Sequence, residues 1–299
     1  MPTDGAPHQR LPVTPILDAH DPRLADYRNL PDRDLLERHG LFIAEGRLIV
    51  ERLLTNRTWV TRSVLVTDAA RSALSAVLEA RPDVPTYVVP QALMNGITGI
   101  SIHRGALAVG ARPTPRRWQD VVAQAQRIVV LERIGNADNV GGIFRAAAAF
   151  GIDAVLLDAA TADPLYRKAI RTSMGAALAV PFARFGPASA GSDAVGQGSA
   201  TSPRDESFAD GLREIGAAGW TTVGLTPSPD APVLTSALDG LRNQRVAVVV
   251  GHEGEGLTPG TLTACHRLAR IHMPGRVTAN VDSLNVAIAA AMAFYELTR

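Results

Sequence analysis

Four runs in the C-terminal part of the chain constrain its fold most: "RIVVLERI" from Arg127, "DAVLLD" from Asp153, "WTTVGL" from Trp220 and "RVAVVVG" from Arg245. Each is strand-length, rich in β-branched residues and nearly continuous in its apolar character. A strand wetted on one face alternates apolar with polar residues, whereas a strand covered on both faces does not. These runs therefore belong inside a parallel sheet, and the helical stretches between them, including 139–150 and 207–218, must lie on its two sides. The expectation is an α/β domain over 126–299. Within it, "PASAGSDAVGQGSATSPRDES" (187–207) is almost all small and polar. It has too little apolar area to order itself and reads as a disordered insertion.

The N-terminal part is organised differently. Residues 1–22 are rich in Pro, Asp and His without periodicity and read as a flexible tail. A helical spacing then runs through Leu41, Ile43, Ile49 and Leu53. Strand-like runs follow in "SVLVTD", "TYVVP" and "GALAVGA", with a helical "AARSALSAVLEA" between the first two. This outlines a small α/β unit over 23–112, joined through the proline-bearing linker at 113–125 ("RPTPRRWQD" and after) to the larger one. A length of 299 residues accommodates two such units.

Composition excludes several classes. Hydrophobic residues at 46% and charged residues at 20% describe a globular chain, not a disordered one. The only cysteine is Cys265, so no intrachain disulfide forms, and a reducing, cytoplasmic setting is expected. Cys265, His266 and His272 lack a metal-ligand spacing, and no metal is expected. The first residues lack the apolar core of a secretory signal, and no apolar run of about 18 residues suggests a membrane span. Net charge is +1, so no strong basic field announces nucleic acid. Lys168 is the only lysine among the 30 basic residues, and this bias toward arginine suits phosphate contacts as well as it suits genome composition.

Three loops after strands carry candidate chemistry, because ligands of open parallel sheets sit beyond the carboxyl ends of the strands. In "ERIGNADNVGGIFR", Asn139 suits a helix N-cap, Gly141 and Gly142 permit close approach, and Arg145 follows about one and a half turns later. An ordinary strand-to-helix turn with a solvated arginine explains this stretch equally well. In "VVVGHEGEGLTP", Gly251, Gly254 and Gly256 give neither a dinucleotide fingerprint nor a P-loop, and Glu253 and Glu255 would repel phosphate. A cationic ligand without phosphates, such as S-adenosylmethionine, fits this loop better; a tight solvent-facing turn is the alternative. In "IHMPGRVTANVDSLNVAIAAAMAFYEL", a short strand leads into a helix with Asp282 or Ser283 as N-cap. Leu284, Ile288, Ala291 and Tyr295 would form its core face. Ser283 and Asn285 would then be either site residues or simple caps.

Taken together, these stretches resemble the signature of the SpoU (TrmH) group of SPOUT RNA methyltransferases. Asn139, Gly141 and Arg145 match N-x-G-x-x-x-R, Gly251 to Leu257 match G-x-E-G-x-G-L, and Ser283 to Val286 match S-L-N-V. "DPLYRKAIRTSMGAALAVPF" (163–182) also resembles a family segment. "FIAEGRLIV" and "ITGISIHRGALAVGA" are similar to the family's RNA-binding domain, related in fold to small ribosomal proteins. The resemblance spans nearly the whole chain. The loop between Met273 and Ser283 is a few residues longer than the compact family pattern, His272 stands where proline is usual, and the 187–207 insertion is not a family feature.

The resemblance implies S-adenosylmethionine-dependent methylation of a ribose 2′-hydroxyl in ribosomal or transfer RNA, a C-terminal trefoil knot and a homodimer. It implies that Gly251, Ile271, Met273 and Leu284 hold the cofactor, and that Asn139, Arg145, Glu253, Ser283 and Asn285 form the catalytic set. Arg145 matches the position often assigned as the base, yet a guanidinium keeps its proton in proteins. The expectation is that Arg145 binds the hydroxyl oxygen and the neighbouring phosphate, with the other four residues orienting them. Arg167, Lys168 and Arg171 would contact RNA phosphates or form a solvated helix face. Two rivals exist. An RNA-binding homologue without catalysis is opposed by the joint presence of Asn139, Arg145, Glu253, Ser283 and Asn285. A nucleotide-dependent oxidoreductase is opposed by the missing glycine fingerprint and by Arg276 where an acidic ribose ligand would stand.

Overall fold

The alternation of covered strands and helices determines the architecture of the C-terminal residues. The computed structural model describes residues 13–28, 32–99, 102, 105–185, 203–273 and 283–299. By its internal contacts the chain divides into one unit of residues up to Thr114 together with Leu165–Leu178, and a second of Pro115–Pro164 with Ala179–Arg299.

The first unit is built on a five-stranded mixed sheet of β1 (Val13–Pro15), β2 (Leu41–Glu45), β3 (Val60–Val66), β4 (Thr86–Val88) and β5 (Ala106–Ala111), in the order β1-β4-β3-β5-β2. Its helices are α1 (Asp32–His39), α2 (Arg47–Thr55), α3 (Asp68–Ala73), α4 (Ser75–Glu79) and α5 (Gln91–Thr98). Two expectations are corrected here. Leu41 and Ile43 do not continue a helix with Ile49 and Leu53. Residues 41–45 form β2, antiparallel to β5, and Gly46 at φ 99° turns the chain into α2. The short apolar run "LFIA" satisfies either period, and pairing with β5 decides it. Nor are all of residues 1–22 a loose tail. Val13–Pro15 pairs in parallel with β4, and Ile16 is buried beside Leu24 and Tyr27. Residues 1–12 lie outside the described part.

The second unit holds a six-stranded parallel sheet. Its strands are β6 (Arg127–Leu131), β7 (Ala154–Leu157), β8 (Phe182–Arg184), β9 (Thr221–Leu225), β10 (Val246–Val250) and β11 (Arg267–Ala269), in the order β11-β9-β10-β6-β7-β8. All four apolar runs lie in it, and β10 and β7 are buried at every residue. The helices are α6 (Trp118–Val122), α7 (Ala137–Phe150), α8 (Arg167–Thr172, grouped with the first unit), α9 (Pro203–Ala217), α10 (Leu234–Ala237), α11 (Pro259–Ala264) and α12 (Val286–Thr298). Ile128 and Val130 of β6 pack with Val122, Phe208, Leu212 and Leu257 on one side of the sheet. Their alternating neighbours Val129 and Leu131 point to the other side. Helix α9 begins at Pro203, inside the stretch expected to be a disordered insertion; residues 186–202 lie outside the described part.

Helices α7 and α12 pack on each other. Helix α7 buries Val140, Ile143, Phe144 and Ala147, the i, i+3, i+4, i+7 stripe of an amphipathic helix. It ends at Gly151, whose φ of 65° suits a residue without Cβ. Helix α12 buries Val286, Ala290, Ala293, Phe294 and Leu297. The face expected to be core is the opposite one: Ile288 and Tyr295 are each 54% exposed. The helix is apolar nearly all round, so periodicity alone could not select its buried side. Phe144 and Phe294 are fully buried, each contributing roughly 1.5–3 kcal/mol by removal from water.

The helices meet where Gly142 faces Ala287. A Cβ on Gly142 would lie 2.8 Å from the Ala287 Cβ. Gly142→Val should therefore separate the pair and lower stability by about 1–3 kcal/mol in urea unfolding, whereas an unchanged midpoint would mean that the contact is not tight. Burial pushes the Cys265 thiol up to about 12. It should resist thiol reagents at pH 8 in the native protein and react promptly once the chain is unfolded in denaturant.

Candidate active site

The site is assembled from the loop after β6, the loop after β10 and the start of α12, all in the second unit. The first two loops are tied together by a buried carboxylate. Glu132, immediately after β6, is 1% exposed. It accepts hydrogen bonds from the Thr258 amide (3.1 Å), the Thr258 hydroxyl (2.7 Å) and the Thr261 hydroxyl (2.7 Å). An acceptor-only group at that depth requires such donors, since burying it unpaired is costly. Its own amide donates to Val250 at the end of β10.

Helix α7 starts two residues earlier than expected. Its N-cap is Asn136, whose side chain accepts from the Asp138 amide, and not Asn139. Relieved of capping, Asn139 lies within the first turn, 6% exposed. Its amide nitrogen donates to Glu253 Oε1, and its oxygen accepts from Asn285 Nδ2 at 2.9 Å. Asn285 Nδ2 also reaches Glu253 Oε1 at 3.3 Å. Asn285, and neither Asp282 nor Ser283, is the N-cap of α12, its oxygen accepting from the Ala287 and Ile288 amides. That capping bond fixes the orientation of the Asn285 amide and aims its donors at the other two residues. Ser283 is exposed at the approach to the helix, and Asp282 lies outside the described residues. Asn139, Glu253 and Asn285, from three distant stretches, thus form one hydrogen-bonded cluster.

Arg145 stands outside that cluster. It is exposed on α7 and lines a cavity of about 800 Å³ together with Gly142, Ile271, His272, Ile288 and Tyr295. The walls of the cavity are mainly apolar, so its guanidinium is the cation presented there by α7.

The glycine loop folds back sharply. A Cβ on Gly251 would lie 2.5 Å from the carbonyl carbon of Gly256, and Gly256 has φ 70°. The His252 ring nitrogen Nδ1 accepts from the Gly254 and Glu255 amides (3.1 and 3.2 Å). Glu255 pairs with Arg133 at 2.9 Å. Gly251 and Ile271, after β10 and β11, are partly buried, as is Leu284 before α12, while Met273 is 40% exposed. The tight turn thus combines close contact of Gly251 with Gly256 with ties from Glu253 and Glu255 to residues outside it. Arg167, Lys168 and Arg171 lie on α8, in the first unit's contact group, where Arg167 Nε stands 3.8 Å from Glu45.

Sequence reasoning assigned no role to Glu132, Asn136, His252 or Thr258. Two signals existed: a charged residue directly after the apolar run Ile128–Leu131, and an Asn two residues before an acidic first-turn residue.

The chain is similar along 95% of its length to the AdoMet-bound rRNA methyltransferase of Sinorhizobium meliloti, with TM-score 0.72, 24% identity and 97% of that chain covered. Residues 126–295 match the model of the SpoU rRNA Methylase family. An uncharacterized tRNA/rRNA methyltransferase of Mycobacterium tuberculosis is 37% identical over 97% of this chain and 93% of its own length. The 23S rRNA (guanosine(2553)-2'-O)-methyltransferase RlmP of Bacillus subtilis is 24% identical over 94% of this chain and 98% of its own length. The chain belongs to the SpoU rRNA methylase family and is an RNA methyltransferase.

The buried anchor makes a direct prediction. Glu132→Ala should leave three donors without their acceptor and cost on the order of 2–4 kcal/mol in chemical unfolding. Glu132→Gln should cost less; equal stability of Glu132→Ala and the wild type would refute the anchoring role.

Proposed function

We propose that the chain transfers a methyl group from S-adenosylmethionine to a ribose 2′-hydroxyl of ribosomal or transfer RNA. One observation carries this reading: the Asn139–Glu253–Asn285 cluster, assembled on the helices that also frame the Arg145-lined cavity. The names of the relatives support it, above all the 2′-O-methyltransferase of Bacillus subtilis and the AdoMet-bound neighbour.

The residues present fit that cofactor. Partly buried apolar Ile271 and Leu284 suit an adenine ring, and backbone groups from Gly251 onward suit its polar edge. The acidic Glu253 and Glu255 favour a cation and disfavour phosphates. Gly251, Ile271, Met273 and Leu284 would hold it, and it would supply the electrophilic methyl group. The chain's own residues do the rest. Arg145, flexible and charged, binds the 2′-oxygen and the adjacent phosphate, stabilising negative charge as it develops on that oxygen. Asn139 and Asn285 hold the Glu253 carboxylate in place, and Glu253 with Ser283 orients the hydroxyl. Such positioning contributes several powers of ten in rate.

The first unit would bind the RNA as a domain related to small ribosomal proteins, with Arg167, Lys168 and Arg171 on phosphates. A second copy of the chain is the proposed partner for the exposed apolar face of α12, where Ile288, Met292 and Tyr295 are 54%, 41% and 54% exposed. The family's C-terminal trefoil knot belongs to the same proposal; residues 274–282 lie outside the described part. No helix among the described residues is long and apolar enough to cross a membrane; a cytoplasmic location is part of the same proposal.

Transfer of labelled methyl groups to RNA, followed by nucleoside mass spectrometry, tests the reaction. Arg145→Lys should keep the charge but lose the planar fork, lowering kcat by about tenfold or more. Methylation by Arg145→Lys at the wild-type rate would remove the fork-shaped contact from the mechanism. A product methylated on a base would overturn the ribose assignment.

A further inference from the structure

Arg133 is one of two described residues other than glycine with positive φ, at 55°. A side chain in this left-handed region crowds its own backbone, and glycine would sit there without strain. The Arg133 Nε is also buried with no hydrogen-bond partner. Two unfavourable features at one position call for a compensating use of the side chain.

The backbone is held from below. The Arg133 amide donates to Asp158 Oδ2 at 3.0 Å, and Asp158 is itself fixed by the Thr161 amide and hydroxyl at 2.7 and 2.6 Å. From this mount the guanidinium reaches across to Glu255, Nη1 to Oε2 at 2.9 Å. The Glu255 side chain is 69% exposed, and an ion pair so well solvated adds little to the stability of a fold. Its consequence is geometric. Glu255 stands between Gly254 and Gly256, on the far side of a turn whose other holds are the His252 ring, which accepts from the Gly254 and Glu255 amides, and the bonds made by Glu253. Two residues before it, Glu253 meets Asn139 and Asn285. Four residues before it, Gly251 begins the turn.

We propose that Arg133 is a positioning residue: by holding Glu255 it fixes the glycine turn and thereby sets the affinity for the methyl donor. This rests on the reading of 251–256 as part of the cofactor site. Arg133 itself touches no reacting atom in this scheme.

The decisive variant is Arg133→Gly, which keeps the left-handed backbone, removes the strain and cuts the tether. Its unfolding midpoint should equal or exceed that of the wild type. Amide exchange at Gly254, Glu255 and Gly256 in the cofactor-free protein should quicken about tenfold as local opening becomes easier. The Kd for S-adenosylmethionine by calorimetry should rise about tenfold as preorganisation is lost, with kcat at saturating cofactor changing much less. The swapped pair R133E/E255R should recover slow exchange relative to R133E. Wild-type exchange and wild-type affinity in Arg133→Gly would overturn the proposal, as would failure of the swap to slow the exchange again. If the wild type itself binds no S-adenosylmethionine, the cofactor assignment falls; the exchange comparison then decides the tether alone.

Discussion

The site depends on a carboxylate that never meets solvent. Glu132 directly follows β6, and its three donors belong to the segment that follows β10. Strands β6 and β10 are neighbours, paired in register from Arg127 with Val246 to Leu131 with Val250. The ladder aligns the strand ends but leaves the loops beyond them free. The Glu132 bonds extend that alignment past the last pair of the ladder, so the glycine turn closes onto a fixed point at Thr258. Between that point and the end of β10, Glu253 meets Asn139 and the capped amide of Asn285.

Such an arrangement separates the duties of three asparagines that look alike in sequence. Asn136 terminates backbone, Asn285 both terminates backbone and orients a carboxylate, and Asn139 serves the carboxylate alone. The distinction is one of a few residues along a helix start, finer than local preferences resolve, because all three positions lie in segments where Asn is favoured.

The parallel sheet was legible because its strands are covered on both faces and leave an unmistakable apolar record, as in "RVAVVVG". The cluster of Asn139, Glu253 and Asn285 was legible as a set of candidates, since their motifs resemble a known signature. What escaped was what packing decides. Residues 41–45 fit a helix or a strand until β5 pairs with them. Helix α12 has two apolar faces, and only its contact with α7 and the sheet selects Val286, Ala290 and Phe294 for burial. Glu132 escaped because a single charge at the end of a strand carries no period, and its partners lie more than a hundred residues away.

The stretch Leu165–Leu178 is covalently part of the crossover from β7 to β8, yet its partners belong to the first unit. The Met174 carbonyl accepts from Arg52, and the Leu178 carbonyl accepts from Asn56 and Trp59. The two compact bodies of this protein are therefore not separable beads on a string. Excising either at Thr114 would strip fourteen residues of their surroundings, so gene fusions or domain exchange with this chain must carry the crossover and its cradle together.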